Sequence, residues 1–138
     1  MIRLAEDADA DALASLAGEL GYPSTAEEIR ARLARMTDDE VVLVFVDDAT
    51  AEAWIHIAIR LSLQSGLYAE IKGLVVTESR RGAGIGELLV RAGEEWARGR
   101  GMTRVRVRTN VTRTRTHAFY ERCGFVHKKT SRLYEKPL

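Results

Sequence analysis

Arg81-Gly82-Ala83-Gly84-Ile85-Gly86 follows the apolar Leu74-Val75-Val76 and opens an amphipathic stretch that begins at Glu87. That order reads as a strand, a glycine turn and a helix start. Glycines at 82, 84 and 86 remove side chains that would keep a ligand off the backbone, and leave main-chain N–H groups and the positive end of a helix dipole facing an anion. The expected ligand is a phosphate or pyrophosphate. The dinucleotide pattern G-x-G-x-x-G would need glycine at position 87, which is Glu87, and the P-loop would need Lys-Ser/Thr after the glycines. Neither fits.

A second group of residues with chemical potential lies downstream. Arg81, Gly84 and Gly86 satisfy Q/R-x-x-G-x-G/A, and Asn110, Arg113, His117, Phe119, Tyr120, Gly124 and Phe125 satisfy N-x-x-R-x-x-x-H-x-F-Y-x-x-x-G-F. The two motifs stand 34 residues apart between Gly86 and Tyr120, with a helix-like and a strand-like segment between them. In this order they resemble the C-terminal half of the GNAT N-acetyltransferase superfamily. The resemblance covers the whole chain, since two N-terminal helices and the Gly21-Tyr22-Pro23 joint are similar to the family's acceptor-side layer.

The resemblance implies acetyl-CoA as co-substrate, with its pyrophosphate on Arg81, Gly82, Ala83, Gly84, Ile85 and Gly86, and further contacts from Leu74, Val75, Val76, Asn110 and Arg113. It implies direct transfer of the acetyl group to a primary amine of a cationic small molecule or protein. Such a transfer needs an uncharged amine, an oxyanion stabiliser and a proton for the departing thiolate. Glu70, eleven residues before Arg81, stands at the register where the histone-acetyltransferase branch places its glutamate base. The alternative for Glu70 is a solvated strand carboxylate, with a water chain in place of a direct base. Val76 N–H is the oxyanion donor on resemblance alone, and Tyr120 looks like the family's general acid, with aromatic packing beside Phe119 as the alternative. His117 reads as a packing or hydrogen-bonding group, and Cys123 as a small thiol in a last helical turn rather than a nucleophile. A non-catalytic acyl-CoA-binding regulatory module of the same fold is the competing reading of the whole.

Composition bounds the setting of this chemistry. The 138 residues suit one domain, and the lone Cys123 excludes a disulfide framework and points to a reducing, cytoplasmic compartment. His56, His117 and His127 with that cysteine have no metal-ligand spacing, so no metal is expected. The longest apolar run, Val41 to Val46, is too short for a bilayer, and Glu6-Asp7-Ala8-Asp9 does not begin a signal peptide, so no membrane partner is expected. Residues 1–79 hold 6 Lys/Arg against 15 Asp/Glu, and residues 80–138 hold 15 against 5. The acidic half favours a cationic acceptor. The basic half could serve nucleic acid, but its aromatics are sparse and the glycine motif already supplies an anionic ligand, so no nucleic-acid partner is expected; a homodimer is.

The elements that must position these residues follow from periodicity. Ile2 to Leu4 reads as a strand, Asp9 to Leu20 as a helix stopped by Gly21-Tyr22-Pro23, and Ser24-Thr25 with Glu27-Glu28 as a capping-box start for a second helix. Val41 to Val46 and Ala53 to Leu61 form a hairpin turning at Asp47-Asp48, and Tyr68 to Thr77 is a further strand. Gly84 to Arg98 is the helix after the glycine turn, Thr103 to Thr109 a strand with Arg104, Arg106 and Arg108 on one face, and Arg113 to Arg122 a helix ended by Gly124. Phe125 to Val126 and Arg132 to Glu135 read as closing strands. The expected fold is α+β, a GNAT acyltransferase fold over 1–138, with a mixed, mostly antiparallel central sheet of about 6–7 strands flanked by about 4 helices. Acceptor contacts are expected from the Gly21-Tyr22-Pro23 joint and the Leu61 to Leu67 loop, with Trp54 and Tyr68 either lining that pocket or packing on the sheet.

Overall fold

Alternation of Ile55, Ile57 and Ile59 with Trp54, His56 and Ala58 gives one strand two different faces, and the architecture follows from covering each. In the computed structural model, which describes residues 1–138, this strand is β3 (Thr50–Ser62). It pairs antiparallel with β2 (Glu40–Asp47) on one side and β4 (Gly66–Val76) on the other. β1 (Ile2–Leu4) adds antiparallel to β2, and β5 (Val105–Val107) adds parallel to β4, giving the order β1-β2-β3-β4-β5. The β2–β3 turn is the two residues Asp48 and Ala49, both at positive φ (49° and 67°), one step later than Asp47-Asp48.

Met1–Val107 forms one compact unit, holding the sheet and three helices. A short 3-10 turn (Asp7–Asp9) leads into α1 (Ala10–Leu20), where Asp9 pairs with Arg3 at 2.8 and 2.9 Å and accepts from Glu6 N–H. α2 (Ala26–Arg35) starts with the expected capping box, resolved to Thr25 and Glu28: Glu28 N–H donates to Thr25 Oγ1 at 3.1 Å and Thr25 N–H to Glu28 Oε1 at 3.0 Å. Leu13, Val44 and Ala51 form a cluster with Ile29, Leu33 and Trp54, so α1 and α2 cover the Trp54 face. α3 (Ile85–Gly99) covers the opposite face, where a Cβ on Gly93 would lie 3.4 Å from Ile55 and 3.6 Å from Ile57.

Arg108–Leu138 forms the second unit, built on α4 (Thr114–Arg122), with Tyr120 in edge contact with Phe119 and Phe125. The closing strands expected at Phe125–Val126 and Arg132–Glu135 do not form, so the sheet has 5 strands rather than 6–7. Each of those stretches is short, and Lys128, Lys129, Arg132, Lys136 and Pro137 crowd the same fourteen residues with charge and a missing donor. From Val126 onward every residue is exposed, so no buried apolar face supports a ladder there. The strand expected over Thr103–Thr109 is likewise confined to Val105–Val107, the three residues that pair with β4.

Candidate active site

β4 carries Glu70 in its first half and Leu74, Val75 and Val76 in its second, and the two halves are built differently. β5 pairs with β4 only at Ala69, Glu70 and Ile71. Immediately beyond, His56 faces Gly73 while Ile57 faces Ile71, which leaves Lys72 as an extra residue on β4, a β-bulge. The bulge resets the direction of the backbone groups. Ala69 N–H donates toward β5, to the Arg104 carbonyl at 3.1 Å, whereas Thr77 N–H donates toward β3, to the Glu52 carbonyl at 2.9 Å. Counting back from Thr77 by twos, Val75 N–H also faces β3, and Leu74 and Val76 N–H point to the edge where pairing with β5 has ended. Without Lys72 as a bulge, the parity set at Ala69 would have turned Val75 outward instead.

The chain then enters the glycine turn. A 3-10 turn (Glu78–Arg80) is followed by Gly82 and Gly84, each at φ 85°, and Gly84 is the residue from which α3 starts. No side chain caps α3, so its first N–H groups are available to an anion. A Cβ at Gly82 or Gly84 would meet no atom within 4 Å, so the backbone conformation demands glycine and the space above it is open. Gly82, Ala83 and Gly84 are exposed, while Ile85 is buried and anchors the helix start. The Arg81 side chain is not directed over the glycines: its Nε donates to the Val76 carbonyl at 3.0 Å, and its Nη2 lies 3.6 Å from Glu19.

Glu70 opposes Ala58 on β3 and Arg106 on β5, which places it on the sheet face shared with Tyr68. Its side chain is 14% exposed and lies 3.7 Å from Arg60 Nε. On the same face His56 and Glu40 meet at 2.7 Å, and Glu40 also opposes Ala58. Burial lowers the His56 pKa, Glu40 opposes that shift and Lys72 adds to it, so the ring is neutral at pH 7. Tyr68 is only 7% exposed and lies under Arg106 and Arg104, whose guanidinium carbons are 4.2 and 5.7 Å from the ring centre. Those arginines also clasp the β3–β4 turn, Arg104 to the Ser65 carbonyl and Arg106 to Ser65 Oγ at 3.5 Å. Trp54 packs into the core cluster, and a Cβ on Gly73 would lie 2.8 Å from its ring. Both aromatics thus make packing contacts on the sheet.

In the second unit, Asn110 builds the turn before α4: its Oδ1 accepts from Thr112 N–H at 3.0 Å and Thr112 Oγ1 at 2.8 Å. Its carbonyl accepts from Arg113 N–H and is 2.8 Å from His117 Nε2, so His117 is a hydrogen-bonding group. Arg113 is the residue before the first turn of α4. Burial pushes the Tyr120 phenol up to about 12, with Cys123 adding to the shift and Arg113 opposing it. The phenol therefore stays protonated at any physiological pH.

Sequence reading missed two features of the first unit. His56 and Glu40 are 16 residues apart and meet only through the β2–β3 register, and Glu19 reaches Thr77 and Glu78 from another element.

The geometry is that of an acyl-transfer fold, and comparison with known proteins agrees. The model of the acetyltransferase (GNAT) family matches residues 10–125. Aminoglycoside N(6')-acetyltransferase type 1 of Klebsiella aerogenes is 31% identical, covering 100% of this chain and 97% of its own length. Glucosamine 6-phosphate N-acetyltransferase 1 of Oryza sativa subsp. japonica is 38% identical over 77% of this chain and 67% of its own. Among solved structures, AAC(6')-Iy in complex with the bisubstrate analogue CoA-S-monomethyl-acetylneamine superposes with a TM-score of 0.88, at 18% identity, over 100% of this chain and 98% of that one. The chain belongs to the GNAT acetyltransferase family.

Proposed function

We propose that the protein is an acetyl-CoA-dependent N-acetyltransferase that passes the acetyl group directly to a primary amine of a cationic small molecule or protein. The observation that carries this reading is the outward-facing Val76 N–H on the unpaired edge of β4, one short turn before an uncapped, glycine-started helix. The pyrophosphate takes the backbone of residues 82–86. Glu70, directly or through one water, receives the proton of the acceptor ammonium. The amine nitrogen attacks the thioester carbon, Val76 N–H donates to the oxyanion, the nitrogen then sheds its second proton to solvent, and the C–S bond breaks to release the thiolate.

Tyr120 assists that last step as a donor. Full transfer from a phenol near 12 to the thiolate of a thiol near 8.5 is uphill by roughly 3–4 pK units, so its part is a hydrogen bond that strengthens as charge grows on sulfur. Solvent supplies the thiol proton. Tyr120→Phe is then expected to lower kcat by about 10-fold, below the roughly 10²- to 10⁴-fold that full proton transfer contributes.

The relatives acetylate aminoglycosides and glucosamine 6-phosphate by name, and the acidic residues 1–79 favour the cationic class. The reading includes one domain over 1–138, a cytoplasmic homodimer, and no nucleic-acid or membrane partner; sedimentation equilibrium tests the dimer. Turnover is tested by thiol release from acetyl-CoA with kanamycin, spermidine, glucosamine 6-phosphate and a lysine peptide. Release with a cationic amine is expected, and no release with any of them leaves the non-catalytic reading standing. Coenzyme A at a hundred times its Kd should add about 2.7 kcal/mol of apparent stability. Gly84→Val should abolish that gain.

A further inference from the structure

Glu19 lies in the last turn of α1, two residues before Gly21-Tyr22-Pro23, yet its contacts are made with the segment that enters the glycine turn. Its Oε2 accepts from Thr77 Oγ1 at 3.0 Å, and its Oε1 accepts from Glu78 N–H at 2.9 Å and lies 3.6 Å from Arg81 Nη2. One carboxylate thus holds a hydroxyl, an amide and a guanidinium within residues 77–81, immediately before Gly82. Glu78 N–H is the first donor of a 3-10 turn and has no partner inside it. Bonds to an ionised acceptor are the stronger kind. Arg81 carries the hold one step further, because its Nε fixes the Val76 carbonyl. The neighbouring Arg80 is fastened from the β2–β3 hairpin by Asp47 at 2.7 Å and Glu52 at 3.7 Å, so the turn is held from two sides.

We propose that Glu19 is a positioning residue for the coenzyme. It fixes the turn from Thr77 to Arg81 before the ligand arrives, so the glycine backbone is already in its anion-binding form, and it makes α1 a structural part of the coenzyme site. Pre-organisation of this kind appears as affinity, because the ordering cost is met in the free protein. The proposal rests on residues 82–86 being the pyrophosphate turn.

The test is calorimetric titration of coenzyme A into the wild type, Glu19→Ala and Glu19→Gln, with amide exchange of residues 78–86 in the free proteins. Glu19→Ala should raise the Kd by about 10-fold and speed exchange in that segment. Glu19→Gln keeps an oxygen that accepts from Glu78 N–H, and should hold the Kd within about 3-fold of wild type. If Glu19→Ala does not fold, Thr77→Val loosens the same clamp by one hydrogen bond and should raise the Kd by about 3-fold. A wild-type or tighter Kd in the folded alanine variant, or equal loss in Ala and Gln, overturns the proposal. Wild-type protein that does not bind coenzyme A instead overturns the reading of the turn itself, and the proposal with it.

Discussion

The two halves of β4 have been given opposite treatments by the same strand sequence. From Gly66 to Ile71 it is paired on β3, and at Ala69–Ile71 on β5 as well, with Arg104 and Arg106 over Tyr68. From Gly73 to Val76 it is paired on β3 alone. The first half holds the Glu70 side chain beside Arg60; the second leaves the Val76 N–H on an open edge. Lys72, the bulged residue, is the joint that permits both in eleven residues.

Val76→Pro breaks the open half most directly. Val76 N–H is not a ladder donor to β3, so proline removes a single outward donor while the antiparallel pairing keeps its bonds. A fall in kcat of roughly 10²- to 10³-fold is expected, with coenzyme A binding retained. Unchanged turnover would show that the open edge has no part in the reaction.

Glu70→Gln addresses the paired half. An alkyl amine with a pKa near 10 is protonated at neutral pH, so losing the base should cost roughly 10²-fold near pH 7. Raising the pH should recover part of it, as solvent then deprotonates the amine. A variant with the wild-type rate and pH profile would make Glu70 a strand carboxylate only.

Arg106→Ala sharpens the contrast at smaller cost. Removing the guanidinium above the Tyr68 ring should lower stability by about 1 kcal/mol in denaturant unfolding, with turnover at saturating substrates little changed. An equal fall in kcat would show that the clasp on the paired half also sets Glu70 in place.

The smallest expected effect lies beside the joint. The folded pKa of His56 is below the ordinary value of about 6.5, so the unfolded chain takes the proton more readily. Its contribution to stability is complete above about pH 6.5 and is lost as pH falls from there through the lowered folded value. Melting temperature should drop between about pH 7 and 5, and His56→Gln should flatten that part of the curve. A slope unchanged by the substitution would assign it to other groups.

Much of this was legible from residues whose information is local. Thr25 with Glu28, the glycines at 82 and 84, and the alternating isoleucines of β3 each specify a cap, a turn or a face within a few residues. The bulge at Lys72 was not legible, because nothing in Glu70-Ile71-Lys72-Gly73 says where two partners' registers disagree. The Glu19 clamp spans 58 and 59 residues, and the arginine clasp on Tyr68 depends on a parallel pairing set by α3 between the strands. The strands expected after Gly124 failed for the converse reason. Short β-prone runs are cheap to find in a sequence, and they become strands only where a partner and a buried face exist.

One feature of the sheet also bears on how the protein behaves in a crowded solution. Its two outer strands, Ile2–Leu4 and Val105–Val107, are only three residues each, and the stretch of β4 beyond the bulge that lacks a β5 partner, Gly73–Val76, is four. A foreign strand adding to any of them would gain only a few hydrogen bonds against the entropy of being ordered, so no edge is long enough to template growth. The same shortness that leaves a backbone donor open on β4 therefore guards the molecule against edge-to-edge aggregation.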